Sequence, residues 1–402
     1  MTNNIPLFPV TVVGSLPRSP SVLAALRRKQ RGRITPEEFE SLADAAVIEA
    51  LRLQEQSGVD IVSDGEQRRD NFYSFIADRI AGIRLMTLAE MLEFVEDKAA
   101  FERLLSALDV PAFALKNPVV IGVLERRQNL VLDDYLFLKK HTDRPIKMTL
   151  PGPYLLTRSM WVKTLSSSSY PDKESLGSDV VGILREELAG LIAAGCEIVQ
   201  LDEPVLTEVA FAGPHQSHTF MCAALSEKSS PEEELSFAVD LINRVVDGSA
   251  GRIKTALHVC RGNWSRRDDV LLTGAYDPLI PYFGRMRVDQ LVLEYATSRA
   301  GSIDALAGLP DEKEIGLGVV DPRSSEMERA GAVVETVRTL LKYRRPEQIY
   351  LNPDCGFGTF ADRPVNTLEI TAGKLRVISE AAHLLRSHRS NPGPRSGPAA
   401  VA

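Results

Sequence analysis

Eight strand-like runs alternate with helical ones almost from end to end, which predicts an α/β fold: a (β/α)8 TIM barrel with an insertion after the second strand. Polar and metal-compatible residues sit where those runs give way to loops, and a parallel barrel carries its chemistry at those strand ends. A doubly wound sheet is the alternative, but no Gly-x-Gly-x-x-Gly follows the first strand to support it. With 402 residues the chain has room for one such barrel or for two ordinary domains.

The first run, residues 10–15, is apolar and β-branched. Thr35 and Pro36 suit the N-cap and first position of a helix over 36–56. The second strand is 59–63. The repeat is then interrupted over 69–140 by a helical run at 88–108, a strand-like run at 117–124 and a helix at 132–140. This insertion is expected to cover part of the barrel mouth. Strands follow at 146–150, 197–201, 253–258, 290–293, 314–320 and 348–351. Helical stretches at 176–194, 231–246, 326–342 and 368–385 separate and close them. Residues 164–177, with four serines from Ser166 to Ser169, read as a lid. The Ser-, Pro- and Gly-rich tail 387–402 reads as disordered, leaving a single barrel over residues 1–386.

Composition narrows the function classes. Hydrophobic residues at 44% and charged ones at 25% supply a globular core. A net charge of −7 argues against nucleic acid as a partner. No apolar run has the length of a membrane span, and Met1-Thr2-Asn3-Asn4 lacks the basic start of a signal peptide. Four cysteines in so long a chain do not make a disulfide framework, so the expected location is cytoplasmic. Cys196 reads as a small core hydrophobe. Cys222, with His215 and His218 nearby in a loop-like segment, has no evident second cluster to join.

His258 and Cys260 close the apolar run Thr255-Ala256-Leu257-His258-Val259-Cys260. Residues two apart on a strand share a face, so imidazole and thiol project together. Such a pair alone is more often core packing than a ligand pair. However, Glu294 ends the run Gln290-Leu291-Val292-Leu293, and Cys355 follows Ile349-Tyr350-Leu351-Asn352-Pro353-Asp354. The other strand ends add Ser15, Asp64, Glu66, Pro151-Gly152-Pro153, Asp202, Glu203, Asp321 and Asp354. Each has a plain structural alternative: a helix cap for Asp64, a turn with Pro322 for Asp321, an arginine partner for Glu203 or Glu66. Together at one barrel mouth they point to a site.

Seven short motifs then occur in the order of a known family. They are Gly14-Ser15-Leu16-Pro17, Ser63-Asp64-Gly65-Glu66, Pro151-Gly152-Pro153, Gln200-Leu201-Asp202-Glu203-Pro204, His258-Val259-Cys260, Leu293-Glu294 and Asn352-Pro353-Asp354-Cys355-Gly356. In these the chain resembles the C-terminal catalytic barrel of the cobalamin-independent methionine synthases, over nearly its whole length. The resemblance implies a Zn2+ cofactor held by His258, Cys260, Glu294 and Cys355. It also implies transfer of a methyl group to a small-molecule thiol, homocysteine giving methionine, from 5-methyltetrahydrofolate or a similar donor. Two thiolates, one imidazole and one carboxylate on Zn2+ sum to −1, a set that keeps a bound sulfur nucleophilic and does not favour activating water. Glu66 and Asp202 match the positions that hold the substrate ammonium, and Ser15 with Gly14 those that hold its carboxylate. Trp161 lies near the family's pterin-stacking tryptophan, with an offset. A tertiary-amine donor must be protonated to leave, and Glu203 and Asp321 are the candidate acids. The first strand starts about ten residues from Met1, where full-length members carry another barrel, so little preference for a polyglutamate tail is expected. The alternatives are another thiol such as a thiol sulfonate, another activated alkyl donor such as a corrinoid, or a zinc-free lyase-type barrel.

Overall fold

The computed structural model describes residues 5–94, 98, 116–211 and 230–390. Six parallel strands lie in the order β3 (Lys147–Pro151), β4 (Ile198–Asp202), β5 (Lys254–Val259), β6 (Gln290–Leu293), β7 (Glu314–Val320) and β8 (Ile349–Pro353). Two short extended segments complete the ring. Val10 bridges in parallel to Leu351 of β8, Thr11 to Ile61, and Val62 to Ile146 just before β3. The bonds are regular, with Thr11 N–H donating to Leu351 at 2.9 Å and Lys147 N–H to Val62 at 2.8 Å. The expected (β/α)8 barrel is therefore closed, although its first two strands are reduced to bridges.

Helices pack outside this ring, among them Pro36–Gln56, Lys173–Ala194, Pro231–Val246 and Ala330–Leu340. Thr35 caps Pro36–Gln56 through a reciprocal box with Glu38, as its sequence announces. Between strands and helices lies the main apolar core. A smaller cluster inside the ring, including Val13, Ile198, Ala256, Val292 and Tyr350, fills the barrel axis below the mouth.

Several expectations change. The insertion contains an antiparallel hairpin of β1 (Ile80–Thr87) and β2 (Lys116–Arg126). β1 escaped the sequence reading because its register shifts between Ala81 and Ile83, at a Gly82 with φ 84°, which breaks the alternation of faces. The helix expected over 88–108 begins as one turn, Leu88–Met91; its later part falls mostly outside the described residues. The helix expected from 326 starts at Ala330, since Glu328 is taken up by the Asp321 N–H and Lys374. The last helix runs Leu368–Ser390, past the expected start of the tail, whose remainder lies outside the described residues.

The segment expected as a lid is pinned down. Ser166 is buried, accepts from Val162 N–H and donates to the Val120 carbonyl of the hairpin. Tyr170 O–H donates to Asp179, and its oxygen accepts from Leu124 N–H. Ser166 thus serves as an internal hydrogen-bonding group, while Ser167 and Ser168 stay exposed.

Polar groups also enter the barrel interior. Lys254 Nζ meets Glu314 and the Tyr350 hydroxyl at 2.6 Å, which closes the lower end. Lys147 is 1% exposed and its Nζ has no hydrogen-bond partner. Burial pulls this ammonium from its usual 10.5 down to about 7, against the attraction of Asp202. A lysine with a lowered folded pKa penalises the fold fully below that pKa, and the penalty fades as pH rises towards the ordinary value. Lys147→Met is therefore expected to raise Tm, by on the order of 3 kcal/mol of stability near pH 6 and by much less near pH 10. Thermal unfolding at the two pH values measures the difference.

Candidate metal and substrate site

Register alone brings three metal-compatible side chains together. His258 is the penultimate residue of β5, Cys260 follows that strand, and Cys355 lies two residues beyond β8. All three are buried, and their donor atoms lie within 4.8 Å of one another. His258 Nδ1 faces the Val292 carbonyl at 3.1 Å, an acceptor, so it carries the proton. Nε2 is thereby left as a lone-pair donor, and it is buried without a partner. The Cys260 thiol is lowered to about 5, because Cys355 donates a hydrogen bond to it and the neighbouring His258 ring favours the thiolate, outweighing burial. Cys355, the donor of that pair, is pushed well up. Burial disfavours a charged His258 ring, but Cys260 and Asp202 together raise its pKa.

Glu294 is the member of the expected ligand set that stands apart from this group of three. It is buried at the end of β6, where Arg261 reaches one carboxylate oxygen at 3.1 Å, and Asn263 at 2.8 Å and Arg299 at 3.4 Å reach the other. Asp354 stabilises the segment that follows, accepting N–H groups from Tyr295 and Ala296 at 2.9 Å.

The same mouth gathers Glu66 and Asp202, with Asp202 paired in register beside His258 on the neighbouring strand. Glu66 has φ 54°, a left-handed conformation unusual for a residue with a Cβ, and its N–H donates to Asp64 at 3.0 Å. One Glu66 oxygen accepts from Thr149 at 3.0 Å with Arg69 at 3.8 Å, while the other is buried without a partner. A Cβ at Gly14 would collide with this carboxylate, so the Gly14-Ser15 turn depends on glycine. Asp202 accepts from Gln200 at 2.7 Å, and burial lifts its carboxyl to about 7. Ser15, Glu66, Asp202, His258, Cys260 and Cys355 all line one cleft of about 600 Å³.

Three expected residues are elsewhere. Glu203 is buried at the start of the helix Pro153–Met160, accepting N–H from Tyr154 at 2.7 Å and Leu155 at 2.8 Å. Asp321 closes a turn by accepting from Arg323 N–H at 2.9 Å. Neither faces the cleft. Trp161 ends the helix Pro153–Met160 and lines a separate small pocket with Tyr154, Arg158, Glu234 and Phe237. Cys196 is core, as expected, while Cys222, His215 and His218 lie outside the described residues.

Sequence reasoning missed the aromatic wall formed by Phe72, Trp264 and Phe360, and the Arg261, Asn263 and Arg299 cluster. Phe72 comes from the insertion and Phe360 from beyond β8, joined by an antiparallel bridge between Asn71 and Phe360. The Arg261-Gly262-Asn263-Trp264 run after Cys260 was the available signal, visible only as a loop.

Comparison with known proteins agrees with this architecture. Residues 8–383 match the family described as "Cobalamin-independent synthase, Catalytic domain". A methionine synthase of Pyrococcus furiosus is 30% identical over 353 residues, 88% of this chain and 87% of that protein. One from Pyrococcus horikoshii is 29% identical over 98% of this chain and 97% of its own length. Among solved structures, a B12-independent methionine synthase from Shewanella sp. W3-18-1, in complex with selenomethionine, superposes with a TM-score of 0.72 at 22% identity. That superposition covers 96% of this chain and 99% of the other, and speaks to the fold.

Glu203 as a helix cap makes a direct prediction. Glu203→Ala strands two helix N–H groups and is expected to lower stability by roughly 2 kcal/mol while leaving metal content unchanged. Thermal unfolding and metal analysis of the same preparation separate the two effects.

Proposed function

The chain belongs to the catalytic-domain family of the cobalamin-independent synthases, and from that premise we propose that it transfers a methyl group to the thiol of homocysteine, giving methionine. The observation that carries this reading is the lone-pair nitrogen of His258, buried and unpartnered beside two cysteine sulfurs in a cleft that Glu66, with an unpartnered oxygen, also lines. One imidazole and two thiols are donors that suit zinc, and among the described residues no hydrogen bond occupies His258 Nε2. We assign His258, Cys260 and Cys355 as its ligands. Zinc, when bound, supplies a Lewis acid that keeps the acceptor sulfur deprotonated at neutral pH, where a free thiol with pKa ~8.5 is largely protonated.

The remaining residues bind and orient. Glu66 and Asp202 receive the substrate ammonium, and Ser15 with the Gly14-Ser15 turn receives its carboxylate, fixing the sulfur near the cysteine pair. Phe72, Trp264 and Phe360 form an apolar wall that excludes water from the reacting sulfur and gives the methyl donor a flat face to approach. The acceptor sulfur forms its new bond to the methyl carbon as the donor's bond to that carbon breaks, the electron pair leaving with the donor atom, which must already be protonated where it is an amine nitrogen. Glu203 and Asp321 are assigned no part in the transfer, since their carboxylates cap a helix and close a turn.

Metal analysis should find close to one zinc per chain. Cys260→Ser and Cys355→Ser are expected to lose it, because a neutral hydroxyl is a poor donor to zinc, whereas Cys196→Ser retains it. A zinc-free preparation that is fully active in chelator overturns the metal assignment. Asp202→Asn should keep its zinc but raise the KM for homocysteine by one to two decades, the worth of roughly 1.5–3 kcal/mol for a charge-assisted bond to an ammonium. If simple alkanethiols without an amino group serve equally well, Glu66 and Asp202 do not have this role.

A further inference from the structure

Arg18 closes the run Gly14-Ser15-Leu16-Pro17-Arg18, just ahead of the helix Pro20–Gln30. It is 4% exposed, yet it is not one of the residues that line the cleft. Its Nη1 donates to the Leu16 carbonyl at 3.1 Å and to the Gly358 carbonyl, and its Nη2 donates to the Arg69 carbonyl at 3.1 Å. These carbonyls lie on three separate loops, following the first extended segment, the second one and β8. The same three loops carry Ser15, Glu66 and Cys355. Contact is close: a Cβ at Gly358 would stand 2.5 Å from the Leu16 carbonyl oxygen and 2.8 Å from Arg18 Nη1, so glycine lets the β8 loop reach the pair. Burial opposes the charge on Arg18, while Glu66, Asp64 and Asp70 around it favour that charge. Main-chain bonds join the loops two at a time, Leu16 N–H to the Gly65 carbonyl at 3.0 Å and Phe357 N–H to the Ser15 carbonyl at 2.8 Å. One guanidinium bonds to all three. Its planar fork permits this, since it holds its N–H donors at fixed angles on separate nitrogens, where an ammonium offers a single nitrogen.

Resting on the acceptor reading above, we propose that Arg18 is a positioning residue for the acceptor amino acid: it fixes the spacing between Ser15, which receives the carboxylate, and Glu66, which receives the ammonium, and holds both against the loop of Cys355. The ammonium and carboxylate of an α-amino acid share one carbon, so the two groups that receive them must keep a matching separation. A shift of about 1 Å in that separation forfeits much of their combined binding. A thiol without either group makes no such demand. Metal binding does not depend on this tie, because His258 and Cys260 belong to β5 and its end, and Cys355 directly follows β8.

The test compares homocysteine with a simple alkanethiol as acceptor in zinc-loaded wild type, R18A and R18K. In R18A the KM for homocysteine should rise about tenfold, with kcat and zinc content near wild type, while the alkanethiol reaction stays within about twofold. Guanidinium ion at a non-denaturing concentration should lower the raised KM, whereas urea, of the same shape but neutral, should not. R18K keeps the charge but has one donor nitrogen, and its homocysteine KM should rise several-fold. If R18A fails to fold by circular dichroism, R18K carries the same comparison. An unchanged homocysteine KM in either folded variant overturns the proposal. So does an equal loss with both thiols, which would make Arg18 a general support of the barrel. A wild type that shows no preference for homocysteine over the alkanethiol fails differently: it removes the acceptor reading of Ser15, Glu66 and Asp202, and this proposal with it.

Discussion

Ring closure at Val10 and Thr11 is the constraint on which the rest of the molecule depends. This short segment lies between Leu351 of β8 and Ile61, bonded to both. It brings the start of the chain against its last strand, and the same contact continues upward into the site: Phe357 N–H donates to the Ser15 carbonyl at 2.8 Å. Gly356 lies so close to Ser15 that a Cβ there would strike its hydroxyl. The Gly14-Ser15 turn, the Glu66 carboxylate and Cys355 are therefore set relative to one another by main-chain bonding, before any ligand arrives. A rigid ring also positions Cys355 against Cys260, three strands away in the sheet order.

Closing the ring creates an electrostatic problem at its mouth. Carboxylates, thiols and an imidazole are gathered in a space with little water, where an unpaired charge is costly. Each group is answered locally, and the answers differ. Glu294 has its guanidinium socket, Glu66 has Thr149 and Arg69, and Asp354 has two backbone N–H groups. What stays unanswered is informative. His258 Nε2 and one oxygen of Glu66 are buried without partners, and both residues line the cleft. Other buried atoms of the described residues also lack partners, Lys147 Nζ and Asp354 Oδ2 among them, but His258 Nε2 and the Glu66 oxygen belong to residues that line the cleft.

Much of the barrel was legible because its period is a property of neighbouring residues. Apolar strand runs and capped helices follow from local propensity and burial, so six of the eight strands emerge near their expected positions. Thr35 with Glu38 is a cap in sequence and in space alike. The limits of local reading are equally specific. β1 was hidden by the Gly82 irregularity, and the supposed lid at 164–177 looked mobile because serine favours loops, although Ser166 is buried as a bridge to the hairpin.

By itself the sequence determined the fold class and set His258 and Cys260 on one face at one strand end of the barrel mouth, since alternation does that, while the set of four with Glu294 and Cys355 came from the family resemblance. It also placed Ser15, Glu66 and Asp202 at that mouth. Only the tertiary structure decided what each carboxylate does there. Glu203 and Asp202 are adjacent in sequence, yet alternation turns Asp202 into the cleft and Glu203 onto a helix N-terminus. Asp321 turned out to close a turn, and Glu294 to lie in a socket whose cations come from two separate loops. A carboxylate's role depends on which donors surround it in three dimensions, and those donors lie far away along the chain.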